Sequence, residues 1–441
     1  MRAVDIIEKK KQGRELVPEE IAFLVEGYVQ GEIPDYQVAA WLMAVCLRGM
    51  GSVETAALTQ SLVHSGEVLD LSSIPGVKVD KHSTGGVGDK TTLVLAPLLA
   101  SAGLTVVKMS GRSLGFTGGT IDKLEAIPGI RTRMSWEEVV AQARRVGVVV
   151  VGQSENLVPA DKKLYALRDA TATVDSVPLI AASVMSKKIA AGAGAMVLDV
   201  KVGDGAFMRT EAEAQELAKV MVHLGREAGR QVAVLLTSMD EPLGTAVGNA
   251  LEVAEAVETL QGRGPDDLRA LCLELGATLL GLTGRAVSLD EGRGVLAGLL
   301  DSGAAWDKYR EWVGAQGGDP DPAALPAAPV RQPFPAPATG YVREIRSRLV
   351  GQAAGLLGAG RGRLDEVPDP AAGIVLAVKR GDRVEEGQPL GYLHTRRLKT
   401  LPEATEMVRC AFAIGPTAPE PQALVRGRVG ADASGEGFGA G

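Results

Sequence analysis

The segment Val79-Asp-Lys-His-Ser-Thr-Gly-Gly-Val-Gly-Asp-Lys-Thr-Thr92 gathers lysines, a histidine, hydroxyls and three glycines just before a long apolar run. That mixture suits the binding of a phosphate. Glycines let backbone N–H groups crowd an anion, hydroxyls and an ammonium add donors, and a following helix aims its positive end at the charge. Turn statistics alone would favour a solvated Gly-rich turn. The rest of the chain reverses that preference.

A second cluster follows at Lys108-Met-Ser-Gly-Arg-Ser-Leu-Gly-Phe-Thr-Gly-Gly-Thr-Ile-Asp-Lys-Leu-Glu125. It too stands between a strand and a helix, at the carboxyl end of a sheet, where open α/β sheets bind ligands. Two such loops after neighbouring strands can enclose one phosphate from two sides. A third cluster, Tyr165-Ala-Leu-Arg168-Asp-Ala-Thr and Ser183-Val-Met-Ser-Lys187-Lys188, lies in a helical region. Ser183 and Lys187 are four apart and share a helix face. Charge patterning alone would make this a basic helix surface. Two familiar glycine motifs are excluded. Asp89 intervenes before Lys90, so there is no Gly-Lys-Ser/Thr of a nucleotide P-loop, and the third glycine of a dinucleotide fingerprint is missing.

The elements that would position these clusters fall into lobes. Residues 1 to about 65 read as helices, one after Pro18, one from Asp35 to about Leu47, and one from Ser52 as N-cap. From about residue 77 strands and helices alternate. Strands are expected at Val77–Val79, Thr105–Met109, Val148–Val151, Ala195–Val202 and Gln231–Leu236. Helices are expected at Leu93–Ala102, from Ser135 to about Val146 behind a capping box, and from Glu211 to Ala228. Residues 159–191 revert to helices. The pattern predicts an α/β domain (70–158 and 192–316) with a parallel or mixed sheet, and an all-α lobe (1–65 and 159–191) across a cleft. Repeated crossings between lobes imply hinges. Residues 317–340, rich in Pro and Ala, read as a linker, and residues 429–441 as a flexible Gly-rich tail. Between them, residues 341–428 resemble the barrel-sandwich of biotin and lipoyl carriers. No lysine sits at a hairpin tip between methionines, so this part reads as a structural α+β domain.

Bulk properties narrow the function class. The chain has 441 residues, enough for two or three domains, with 46% hydrophobic and 23% charged residues. A net charge of −7 argues against general binding to nucleic acid or anionic membranes, while leaving room for one basic pocket. Cys46, Cys272 and Cys410 lie far apart in apolar stretches and read as reduced core residues. The N-terminus lacks a signal-peptide core, and the longest apolar stretch, Leu93 to Val107, is interrupted and too short to span a bilayer. A cytoplasmic protein is expected.

The strings DKHSTGGVGD, SGR-L-TGGTIDKLE, YALRD-TATV and the Ser–Lys helix resemble the pyrimidine-nucleoside and thymidine phosphorylases, in order over nearly the whole chain. The resemblance implies a helical lobe and an α/β lobe around a cleft, a homodimer, no organic cofactor, and phosphorolysis of a pyrimidine nucleoside to free base and pentose 1-phosphate. Carried over by position, Lys81, Ser83, Thr92, Ser110 and Thr120 match phosphate-binding positions, with Lys108 and Met109 alongside. Arg168, Ser183 and Lys187 match the base-holding positions, Leu114 a base-packing one, and His82 the histidine near the base carbonyl, placed to donate a proton. His82, Arg168 and Lys187 are the catalytic candidates.

Three departures stand out. Ser113 replaces a glycine and Phe116 a histidine of the second loop, which implies tuned substrate fit. Lys90 stands where bacterial members commonly use a small hydroxyl residue to bind a monovalent cation, together with positions matching Gly88, Leu243, Ala246 and Glu255. A lysine there supplies the same unit charge, which makes a potassium requirement doubtful. The loop wording and cation-site residues favour an enzyme acting on both uridine and thymidine over a strict thymidine phosphorylase. An anthranilate phosphoribosyltransferase-like enzyme shares the architecture but needs acidic residues for magnesium, and Asp122 and Glu125 read as structural.

Overall fold

A computed structural model describes residues 1–112, 118–361 and 366–430. Four helices open the chain: α1 (Ala3–Lys11), α2 (Pro18–Gln30), α3 (Asp35–Arg48) and α4 (Ser52–Val63). One buried carboxylate on α4 ties it to α1 and the loop that follows α1. Glu54 accepts from Lys10 Nζ at 2.7 Å and from the backbone N–H groups of Leu16 and Gly51 at 2.9 Å. The N-cap of α4 is therefore Gly51, with Glu54 satisfying its N–H, and Ser52 is the first helical residue.

Five parallel strands follow: β1 (Lys78–Ser83), β2 (Thr105–Ser110), β3 (Val148–Gly152), β4 (Ala195–Val202) and β5 (Gln231–Ser238). They lie in the order β5-β4-β1-β2-β3. The helices between them are α5 (Thr91–Ser101), α6 (Thr120–Leu124), α7 (Trp136–Val146), α8 (Pro159–Ala170), α9 (Val177–Ala190) and α10 (Glu211–Glu227). Because successive side chains point to opposite faces, β4 serves two cores. Ala195 and Val197 pack in the core that holds α5, while Met196, Leu198, Val200 and Val202 pack in the one shared with α1–α4 and α9. Burial on both faces explains why six of its eight residues are apolar, with Asp199 and Lys201 buried as a pair near its carboxyl end. β1 runs further than expected. Its last three residues pair Lys81 with Val197, His82 with Leu198 and Ser83 with Asp199, so the strand carries its polar residues to the mouth of the sheet.

Beyond β5 come β6 (Ala246–Val247) and α11 (Asn249–Leu260), then the helices Asp266–Leu282, Leu289–Asp301 and Ala304–Ala315. Three expectations need correction here. The stretch 317–340 is not wholly a linker, since Val330–Pro335 is a strand paired with Pro389–Thr395. Its two prolines are tolerable on a strand with only one neighbour. The C-terminal region is not self-contained. β6 pairs with Gly373–Leu376, so the α/β part lends a strand to the C-terminal sheet. In return, Val425–Val429 leaves that domain and pairs antiparallel with β5 as the sixth strand of the main sheet. Val429 is thus part of a strand, and residues 431–441 of the expected tail lie outside the described residues. Of the cysteines, all free, only Cys272 is buried, and Cys410 is exposed on its helix. Among the described residues no helix is long and apolar enough to cross a membrane.

Candidate active site

At the carboxyl end of β1, alternation sends neighbouring side chains to different partners. Asp80, fully buried, takes Lys188 Nζ at 2.7 Å on Oδ2 and Lys108 Nζ at 3.2 Å on Oδ1. Lys81 turns the other way. It donates to the Thr91 hydroxyl and lies 3.4 Å from Asp89 and 3.6 Å from Asp199. Asp199 also pairs with Lys201 at 2.7 Å. Asp89 accepts from both the N–H and the hydroxyl of Thr91, so a carboxylate already caps the first turn of α5. That carboxylate takes one N–H of the helix's positive end, while Thr92 of the same turn faces the cavity. Ser83 Oγ accepts from the Gly85 N–H at 3.2 Å, which pins the start of the glycine loop.

The second glycine loop is stitched to the first by Lys123. Its buried ammonium donates to Asp89 O at 2.6 Å and Gly118 O at 3.3 Å, and pairs with Glu252 at 2.8 Å. Leu114, with Ser113 and Phe116, lies outside the described residues. From the helical lobe, Lys187 on α9 sits 2.7 Å from Asp161 on α8 and donates to Ser183 Oγ at 3.2 Å. Arg168 is buried and its guanidinium holds the loop between the two helices, donating to Thr173 O at 3.2 Å, Val174 O at 2.8 Å and Leu179 O at 3.1 Å.

These groups meet in one cavity of about 370 Å³ between the lobes. Lys81, Ser83, Thr92, Lys108, Met109, Ser110 and Thr120 line it from the α/β side, Arg168, Ser183 and Lys187 from α8 and α9, and His82 is also on its wall. The described residues expected at the phosphate and base positions thus line one cavity, while those expected around a cation do not. Asp161, Asp80, Lys123 and Lys188 were not singled out. Their signal was weak: Asp161 is an acidic residue in the first turn of a helix, Lys188 adjoins a lysine already chosen, and Asp80 and Lys123 sit within the two glycine-loop motifs. Phe207 and Met208, on the loop after β4, also line the cavity and carried no motif.

The electrostatics follow from this crowding of lysines. Burial and the nearby Lys188, Lys108, Lys187 and Lys81 hold His82 well below the ordinary histidine value, so its imidazole is neutral at neutral pH. Burial likewise brings Lys108 down to about 7, with Asp80 opposing and Lys188 and Lys81 adding to the shift. Against the upward push of burial, Lys81, Lys201 and Lys123 keep Asp89 well below the carboxylate range.

Behind the first glycine loop, Lys90 points away from the cavity into the interior. Its Nζ donates to Leu243 O at 2.9 Å, to Ala246 O at 2.8 Å and to the Glu255 carboxylate. Glu255 in turn accepts from the N–H groups of Thr245 at 2.8 Å and Ala246 at 3.1 Å. Gly88 has φ 74°, and a Cβ there would lie 2.6 Å from Leu243 O. The oxygen ligands implied for a monovalent cation are therefore assembled around an ammonium, and the residues present do not fit a metal ion as well.

Three family descriptions match consecutive stretches: the glycosyl transferase family helical bundle domain over residues 4–66, the glycosyl transferase family a/b domain over 76–306, and the pyrimidine nucleoside phosphorylase C-terminal domain over 341–415. The chain is 54% identical over 401 residues to a pyrimidine-nucleoside phosphorylase of Bacillus subtilis (strain 168), covering 90% of this chain and 93% of that one. It is 53% identical, with the same coverage, to one from Geobacillus stearothermophilus. Among solved structures it resembles anthranilate phosphoribosyltransferase from Thermus thermophilus, with a TM-score of 0.58 at 21% identity over 72% of this chain and 99% of that one. That last likeness is one of fold. Identity above one half across nine-tenths of the sequence is a closer relation: the chain belongs to the pyrimidine-nucleoside phosphorylase family.

Proposed function

We propose that this enzyme, a pentosyltransferase, uses inorganic phosphate to cleave pyrimidine nucleosides reversibly. The products are the free base and the (2-deoxy)ribose 1-phosphate, with uridine, thymidine and deoxyuridine all accepted. The observation that carries this reading is the meeting, in one cleft, of a hydroxyl- and ammonium-lined wall with Ser183 and Lys187 from the opposite lobe. No organic cofactor is invoked. In this reading Lys81, Ser83, Thr92, Ser110 and Thr120, with Lys108 and Met109 beside them, orient the phosphate. A phosphate oxygen attacks the anomeric carbon while the bond to the base nitrogen breaks, and the bonding pair leaves with the pyrimidine. Negative charge then grows on the base, where Lys187, Ser183 and Arg168 stand. Fixed donors of this kind are each worth about a hundredfold in rate.

His82 stands on the cavity wall, where a donor to the base carbonyl was expected. A neutral imidazole donates a hydrogen bond to a base carbonyl but does not deliver a proton as an imidazolium. Lys90 supplies the unit charge of a monovalent cation from within the chain, so no potassium is required. The support is its three oxygen partners in the interior. Equal rates in potassium and tetramethylammonium buffers are expected, and a large drop without potassium would overturn this part. The enzyme acts as a cytoplasmic homodimer in pyrimidine salvage. Tyr36, Met43 and Leu47 lie along one side of α3 with 74%, 40% and 76% exposure, an apolar stripe suited to a second copy. Leu47→Glu should shift the species seen by light scattering to a monomer.

The deciding experiment measures base release from uridine, thymidine, deoxyuridine and cytidine, with and without phosphate, beside Lys187→Ala. Phosphate-dependent release from uridine and thymidine, lost in the variant, is expected. Release from thymidine and deoxyuridine alone would make the enzyme a strict thymidine phosphorylase. Release without phosphate would mean hydrolysis and overturn the reading.

A further inference from the structure

Asp80 is one carboxylate serving two buried ammonium groups that come from different lobes. Lys108 reaches it from β2 in the α/β domain, and Lys188 from the last turn of α9 in the helical lobe. Lys188 and Lys108 are 5% and 4% exposed, and among the described residues neither has another carboxylate within ion-pair distance. Lys188 otherwise reaches only Met109 O, at 3.5 Å, and Lys108 the carbonyl of Lys81. The neighbouring groups are balanced: Lys187 has Asp161, and Lys81 with Lys201 faces Asp89 and Asp199. With Lys108 protonated, this pair of ammonium groups has one positive charge more than Asp80 can balance, beside the hydroxyls of Ser83, Ser110 and Thr120 on the cavity wall. Like charges sharing a buried counter-ion repel, and an arriving anion relieves that repulsion.

We propose that Lys188 is a positioning residue that couples phosphate occupancy to the base site, through its shared hold on Asp80. The proposal rests on the phosphorolytic reading above. A phosphate seated against Lys108 takes over that ammonium and leaves the Asp80 carboxylate to Lys188 alone. Helix α9 is then held more firmly against β1. The same helix carries Ser183 and Lys187, the latter adjacent to Lys188, so firmer seating presents both to the base. Nucleoside and phosphate then bind with positive coupling, and by reciprocity each strengthens the other. Lys188 acts through Asp80 and need not touch the nucleoside.

Sulfate mimics the phosphate dianion without reacting, so binding can be measured apart from turnover. Titration calorimetry of uridine into the intact enzyme, with and without sulfate, should show about tenfold tighter uridine binding when sulfate is present, in the usual range of coupling between sites. Lys188→Met should reduce that effect to less than twofold, and Lys188→Arg should restore most of it. Asp80→Asn gives a second route to the same loss if the methionine variant folds poorly by circular dichroism. Wild-type coupling in folded Lys188→Met would overturn the proposal, as would absence of coupling in the wild type. Failure of the wild type to bind uridine at all, or to release base with phosphate, would instead overturn the proposed function itself.

Discussion

The Lys187 ammonium and the Asp161 carboxylate form an ion pair at 2.7 Å that joins the last turn of α9 to the first turn of α8. Asp161 is almost fully buried, whereas Lys187 retains about a third of its side-chain surface, 30%, towards the cavity. The carboxylate thus fixes a flexible four-carbon chain in one direction. It also stands close to a residue proposed to face the base. Asp161→Asn keeps the shape and removes the charge. The expected result is a loss of kcat/KM for uridine on the order of a hundredfold, the scale of a misplaced catalytic group. The KM for phosphate should change little. An equal rise in both KM values would mean that the pair serves only folding.

Lys90→Thr tests the internal cation. Removing one partner of a buried pair leaves Glu255 uncompensated and destabilises by about 3–5 kcal/mol. The variant also leaves the carbonyls of Leu243 and Ala246 and the Glu255 carboxylate around a space suited to a monovalent ion. Its melting temperature should fall in tetramethylammonium chloride and recover with rising potassium, since a ligand that binds only the native state stabilises it. The wild type should melt alike in both salts. A variant indifferent to potassium would show that these oxygens do not form a cation site.

Lys108 makes anion binding depend on pH. The groups facing it are Asp80, Lys81 and His82 from β1, and Lys188 from α9. Burial brings its own value to about 7 in the free protein. A bound dianion favours the protonated form, so affinity is full below that value, where the proton is already present. Above it, binding must take up a proton, and affinity falls by up to about tenfold per pH unit until the raised value of the complex is passed. Sulfate titrations from pH 6 to pH 9 isolate this effect, because sulfate does not itself titrate there. Lys108→Met should bind more weakly with a flat profile. A flat wild-type profile would show that Lys108 stays charged throughout.

Gly248 sits where β6 turns into α11, beside the C-terminal domain. Its φ is 138°, and a Cβ there would lie 2.3 Å from Ala372 O. Both the backbone conformation and a backbone neighbour oppose a side chain. Gly248→Ala should therefore destabilise by about 2 kcal/mol or more, visible as a lower midpoint in urea. An unchanged midpoint would mean that the two domains separate freely at this contact.

Much of this molecule follows from local sequence. Period-3.6 apolar spacing marked α2 and α3, β-branched runs marked β3, and the capping box at Ser135 marked the start of α7, because each depends on residues within one turn or one strand. The two glycine loops and the Ser183–Lys187 face were legible for the same reason, and the resemblance joined them into one expectation. The ion pairs were not legible. Asp80 with Lys188 spans 108 residues, and Lys90 with Glu255 spans 165, so no spacing rule reports them. The same holds for the strands Val330–Pro335 and Val425–Val429. One contains prolines and the other precedes a Gly-rich tail, and each becomes a strand because a distant edge supplies its hydrogen bonds. Residue types alone suggested a proton for His82 to give. The lysines brought around it by two lobes push its value down, because burial and like charge both disfavour the protonated ring.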